Sequence, residues 1–192
     1  MKRRLLVVLG LVGLLSAVLA GPAGAAETGS SRSVSPVKAA DGSVTGYSVL
    51  RRDAGEARFR LLATQLEAGH AYTIWWVVFN HTEHCAGAAG PVRCGMVDLA
   101  NPDVDASALF ADGGVVGRFG VGWFSGSLPV HDPTGAIMGT GLHNPAGADV
   151  HFVVRDHGPA SDDPELRYQQ THTFGACNPA CADLQMSVHK AS

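Results

Sequence analysis

Charge is scarce in this chain. Asp, Glu, Lys and Arg make up 16% of its 192 residues and balance to a formal −3 at pH 7. No basic stripe stands out, which argues against a general nucleic-acid binder. The 24 Gly and 10 Pro together fall short of the roughly 25–30% that marks low-complexity chains. The apolar share, 46%, is enough for a packed core. Sustained disorder, collagen and coiled coil are thereby excluded. Catalytic signatures are also missing. Gly122-Trp-Phe-Ser125-Gly126 does not fit Gly-x-Ser-x-Gly, and no His-Glu-x-x-His, phosphate loop or dinucleotide fingerprint occurs. No stretch of the body carries a sustained helical stripe.

One long apolar run is present, and it stands at the start. Lys2, Arg3 and Arg4 precede an apolar stretch over 5–20, then Gly21-Pro22 and the small residues Ala23-Gly24-Ala25. This is the pattern of a secretory signal peptide over 1–25, cleaved after Ala25. Sixteen residues interrupted by Gly10, Gly13 and Ser16 are short for a span of about 20. The sequence therefore predicts a secreted protein with no stable membrane insertion after cleavage. The first 25 residues hold three bases and no acid, so the remainder carries 11 basic against 17 acidic residues, a net −6. All nine His remain in it.

Export makes the four cysteines disulfide candidates. Cys85 with Cys94 and Cys177 with Cys181 are the favoured local pairs, since each flanks a turn-rich stretch. The competing use of the second pair is a metal site completed by histidines, because Cys-x3-Cys falls within zinc spacing.

Residues 26–44 are small and polar and read as a flexible leader. Beyond them, over 45–192, short apolar runs are punctuated by Gly, Pro, Asn and Asp. Strands are expected over 47–51, 57–63, 71–79, 106–110, 115–117, 120–128, 149–156, 167–174 and 183–189. The 71–79 run is apolar in both alternation classes and reads as a central strand covered on both faces. Phe59 and Leu61 are expected inward with Arg58 and Arg60 outward. Val150, Phe152 and Val154 are expected inward with His151 and Arg155 outward. On the last strand Leu184, Met186 and Val188 are expected inward. Eight or nine such strands predict an all-β antiparallel β-sandwich, immunoglobulin-like or a related Greek key. The segment from Asn144 to Val154 matches that from Asn178 to Val188 at six of eleven positions, one turn-into-strand geometry used twice.

Histidine is the unusual residue. His81-Thr82-Glu83-His84-Cys85 places two imidazoles and a carboxylate on one loop, where they can reach one metal. His151, His172 and His189 would form a second cluster if their strands were neighbours. Zn or Cu would be the cofactor, with His81, His84, His151 and His172 the candidate ligands. Otherwise no cofactor and no catalytic residue is indicated. Blue-copper spacing and the His-x-His pairs of copper–zinc superoxide dismutases are both absent. Trp75, Trp76, Trp123 and Tyr72 are candidates for a sugar or apolar platform, although adjacent Trp75 and Trp76 must point to opposite faces.

The stretch from Leu66 to Asn80, the stretch from Val150 to Pro159 and the Cys-bearing C-terminal strand resemble a group of uncharacterised secreted bacterial proteins, each a single β-sandwich domain. The resemblance covers about 45–189. It implies export, one domain and an all-β fold, and carries no catalytic residue. The expected function is an exported, non-catalytic binding or surface-interaction module for an unknown extracellular ligand. The alternative is a His-rich metal-binding protein or metalloenzyme.

Overall fold

A computed structural model describes residues 29–87 and 94–191. The signal-peptide assignment to 1–25 lies outside them. The strands are β1 (Ser31–Ala39), β2 (Val44–Arg52), β3 (Glu56–Ala63), β4 (His70–Phe79), β5 (Ala106–Val115), β6 (Gly122–Pro129), β7 (Ala136–Met138), β8 (Asp149–Pro159) and β9 (Ala182–His189). One helix, α1 (Pro164–His172), lies between β8 and β9.

The all-β expectation is met, but two packed sheets are not what forms. All nine strands belong to one antiparallel sheet in the order β6-β3-β2-β1-β9-β8-β4-β5-β7. The sheet curls into a half-barrel. Its ends approach each other where the Ser125 N–H of β6 donates to Asp112 Oδ2 of β5 at 2.8 Å. A curled sheet buries its inner face on itself. Phe59 of β3 stacks on Phe152 of β8 at 4.4 Å and meets Trp76 of β4 edge-on at 5.0 Å. Leu50, Leu61, Ile74, Leu109, Val150 and Val154 complete that interior. Burial of several such side chains, at about 1.5–3 kcal/mol each, supplies the main stabilisation.

Three expectations need correction. First, the leader reading of 26–44 fails over Ser31–Ala39, which is β1, paired with β2 along its length. Second, 167–174 is mostly helix. Asp163 caps α1 through Oδ1, which accepts from the Glu165 N–H at 2.9 Å, and Pro164 opens the first turn. The helix sits so close to β5 that a Cβ on Gly113 would lie 2.1 Å from the Thr171 carbonyl oxygen. Third, β9 is inverted. Leu184 and Met186 are exposed, while Gln185, Ser187 and His189 are buried. Val150, Phe152 and Val154 do face inward, and their register partners on β9 are His189, Ser187 and Gln185. The two copies of the repeated segment thus become neighbouring strands with opposite phases.

The inner face is polar where β9 meets β1 and β2. β1 and β9 are paired only at Lys38–Met186 and Ala39–Gln185. Beyond that point side chains bridge the seam. His189 Nδ1 lies 2.7 Å from Ser33 Oγ, and Ser48 Oγ donates to Ser187 Oγ at 2.8 Å. Arg52 closes the end of the seam with four carbonyls. Nη1 donates to Ala148 and Pro145, and Nη2 to His189 and Lys190. Burial pushes its pKa down to about 10, with Asp149 acting in the opposite sense.

Candidate ligand-binding surface

Alternation sends every second side chain of a strand outward, and the register of β1, β2, β3 and β6 then aligns those side chains in rows. The first row is Arg32, Arg51, Arg58 and Ser127, each directly opposite the next. The second is Val34, Val49, Arg60 and Ser125, and the third is Pro36, Tyr47, Leu62 and Trp123. Arg58 and Arg60 face outward, as their alternation with Phe59 and Leu61 predicts. The four arginines line a groove of about 540 Å³ with Val49 and the β6 residues Ser125 and Ser127. Arg58 is ion-paired with Glu56. Arg32, Arg51 and Arg60 have no carboxylate partner among the described residues.

Like charges directly opposite on neighbouring strands destabilise a sheet, typically by a few tenths to about 1 kcal/mol per pair. Arg32–Arg51 and Arg51–Arg58 are two such pairs in series. The guanidinium fork suits bidentate carboxylate, sulfate or phosphate. In the third row, outside the groove lining, Trp123 is 75% exposed and Tyr47 57%. Of the aromatic platform candidates, only Trp123 stands on the surface. Trp75, Trp76 and Tyr72 are buried.

The four sequence-predicted metal candidates are spread over three places. His81 and His84 flank Glu83 on a 3-10 turn, with Nδ1 and Nε2 at 3.4 and 3.9 Å from its carboxylate and ring centres 6.3 Å apart. His151 was expected outward, and it does lie on the outer side of β8, but buried there against Phe79, with ring centres 5.0 Å apart. Burial pushes its pKa down to about 4 despite nearby Asp149. His172 lies on α1, stacked on Tyr168 at 4.1 Å. These four do not surround one point. His189 is interior and also pushed down to about 4, by burial first and then by the charges of Arg52 and His151.

Both local disulfides are present, Cys85–Cys94 and Cys177–Cys181. They suit an oxidising compartment. Among the described residues, one trio of His, Cys or carboxylate donors lies close enough to share an ion. It is His157, Cys177 and Cys181. A second imidazole site was not foreseen: His143 Nδ1 lies 2.6 Å from Asp105 Oδ2, and the His131 ring is 4.9 Å away. Thr140 is 3.3 Å from His143 Nε2, but the backbone N–H groups of Thr140 and Gly141 are spent on Ser107 Oγ. The Asp105–His143 pair ties the start of β5 to the loop between β7 and β8.

No helix among the described residues is long and apolar enough to cross a membrane. No protein-family model, no curated protein and no solved structure matches the chain.

Proposed function

We propose that this chain is an exported binding module that takes an anionic polysaccharide on the outer face of β1, β2, β3 and β6. The observation that carries the reading is the cross-strand row Arg32–Arg51–Arg58. A repulsive row in a chain with few bases gains stability when an anion covers it, whereas a purely structural face would gain nothing from it. Tyr47 and Trp123, in register across β2, β3 and β6 two rows from the arginine row on the same face, offer flat faces on which sugar rings stack. The role is non-catalytic: the arginines supply affinity and the aromatics supply orientation. The apolar start of the chain and the two disulfides support export.

Titration with polygalacturonate and with neutral dextran, at low and high salt, tests this. Polygalacturonate is expected to bind, more weakly as salt rises, and dextran is not. Arg51→Gln with Arg58→Gln should weaken binding at least tenfold. Equal binding of the two polymers, or variants that bind as well as the parent, would sink the reading. The second reading, a metal-binding role, is favoured at His157, Cys177 and Cys181, the trio whose donor atoms lie within 4.8 Å of one another.

A further inference from the structure

The two disulfides sit in opposite surroundings. Cys85 and Cys94 are buried in an apolar cluster with Phe79, Val104 and Ala106. Cys177 is exposed and Cys181 half-buried, in the loop between α1 and β9. Beneath them lies His157, fully buried near the end of β8. Its Nδ1 is 3.4 Å from Cys181 Sγ. The nearest donor atoms of His157, Cys177 and Cys181 all fall within 4.8 Å of one another.

We propose that His157, Cys177 and Cys181 form a redox-gated site for one thiophilic divalent cation, zinc in the first instance, closed as the disulfide and open as the dithiol.

Tetrahedral zinc with Zn–S of about 2.3 Å and Zn–N of about 2.0–2.1 Å requires an N···S edge of about 3.5 Å and an S···S edge of about 3.8 Å. The N···S edge already exists between His157 and Cys181. The His157–Cys177 edge lies within 4.8 Å, and reduction frees Cys177 to complete it as the sulfur–sulfur contact opens.

The other ring nitrogen is held as a ligand's should be. His157 Nε2 is 2.8 Å from Thr73 Oγ1, which also accepts from Trp75 Nε1 at 2.8 Å. Such a partner fixes the ring's orientation and leaves the facing nitrogen for the metal. Burial is the main influence on the His157 pKa and lowers it, with the backbone at Gly175 and Ala176 acting in the opposite sense.

The loop is also anchored by hydrogen bonds. The Asn178 N–H donates to the His157 carbonyl at 2.8 Å, and Asn178 Nδ2 donates to the Pro159 carbonyl at 3.1 Å. Gly158 accommodates the approach: its φ is +82°, and a Cβ there would lie 1.7 Å from the Asn178 carbonyl oxygen. The exposed side of Cys177 provides entry and leaves a fourth position for water.

The chemistry balances with a dithiol as reductant. The dithiol gives up two electrons and two protons and becomes a disulfide, while the Cys177–Cys181 bond is cleaved to two thiols. The cation then displaces both thiol protons and accepts the Nδ1 lone pair. This site lies apart from the arginine groove, so the two ideas stand or fall separately.

The test uses the full chain without a His-tag, reduced with dithiothreitol, desalted anaerobically and titrated with Co²⁺. Thiolate-to-cobalt charge-transfer absorption and tetrahedral d–d bands saturating at one equivalent are expected, and Zn²⁺ should bleach them. The oxidised chain should show neither. The double variant Cys177→Ser with Cys181→Ser should abolish the charge-transfer bands, and His157→Gln should weaken Co²⁺ binding about tenfold or more. Should His157→Gln fail to fold, Thr73→Val tests the same ring through its orientation and should weaken binding. Bands that survive in the double variant, or their absence from the folded, reduced parent, would overturn the proposal. Unchanged affinity in a folded His157→Gln chain would do so as well.

Discussion

Ser48 Oγ and His189 Nε2 lie 2.7 Å apart inside the curled sheet, where neither side chain meets solvent. With Ser33 on the other ring nitrogen, the imidazole joins β1, β2 and β9 where backbone pairing between β1 and β9 has ended. Replacing His189 by Leu leaves both hydroxyls short of a partner. The expected loss is about 1–3 kcal/mol by urea denaturation. Adding Ser33→Ala, Ser48→Ala and Ser187→Ala to His189→Leu should recover part of that loss, because the hydroxyls that lost a partner are removed with it. A quadruple variant less stable than the single one would show that packing, not hydrogen bonding, sets the seam.

Arg51 should show the signature of a functional group held at a cost to stability. It has an arginine opposite on each side. Arg51→Thr removes both repulsions and adds a good strand former. Stability is expected to rise by a few tenths to about 1 kcal/mol while polygalacturonate binding falls. The parent alone should gain thermal stability as salt screens the row, and the variant should gain less. A destabilised Arg51→Thr would mean that the row is structural.

Arg52, one position along, has the opposite role. It is buried, and its two terminal nitrogens span two pairs of carbonyls on separate segments. Lysine keeps the charge but presents one point and not a fork. Arg52→Lys is expected to cost about 2–3 kcal/mol, the worth of one or two charge-assisted hydrogen bonds. Amide exchange should speed up at His189 and Lys190 before it does in β4. Protection unchanged at both residues would refute the clamp.

Hydrophobic alternation made β3 and β8 readable, along with their inward residues Phe59, Leu61, Val150, Phe152 and Val154, and an unbroken apolar run did the same for β4. The same signal failed on β1 and β9. Their inward side chains include Ser33, Ser187 and His189, which with Ser48 of β2 satisfy one another across the seam instead of contributing apolar area. A strand with Leu184 and Met186 on one side and Gln185 and Ser187 on the other invites the apolar side inward. Only the register against β8 decides otherwise, and a one-residue shift reverses every side chain. The helix α1 had a readable start in Asp163-Pro164-Glu165, but its apolar stripe is too weak to continue that signal. The arginine row was half legible. Arg58 and Arg60 alternate with core residues, whereas the alignment of Arg32 and Arg51 with them is a property of strand pairing. His157, Cys177 and Cys181 meet for the same reason: β8 and the loop before β9 are adjacent only in the fold.

The buried imidazoles set the pH dependence of stability. His151 and His189 titrate at about 4 in the folded chain and near 6.5 when unfolded. Between those values the unfolded chain binds more protons, so stability rises with pH across the window. It is fully present above about 6.5 and is lost as pH falls toward 4. Each histidine is worth on the order of 3 kcal/mol over the whole window. His157, whose pKa burial also lowers, acts in the same sense. His151 is the cleanest to remove, because its Nε2 is buried with no hydrogen-bond partner and its ring packs on Phe79. His151→Phe keeps the ring packing and deletes the titration. Its stability relative to the parent should therefore improve as pH drops from 7 to 5, read as a shallower fall in melting temperature. Parallel curves for the two chains would show that His151 carries no proton linkage.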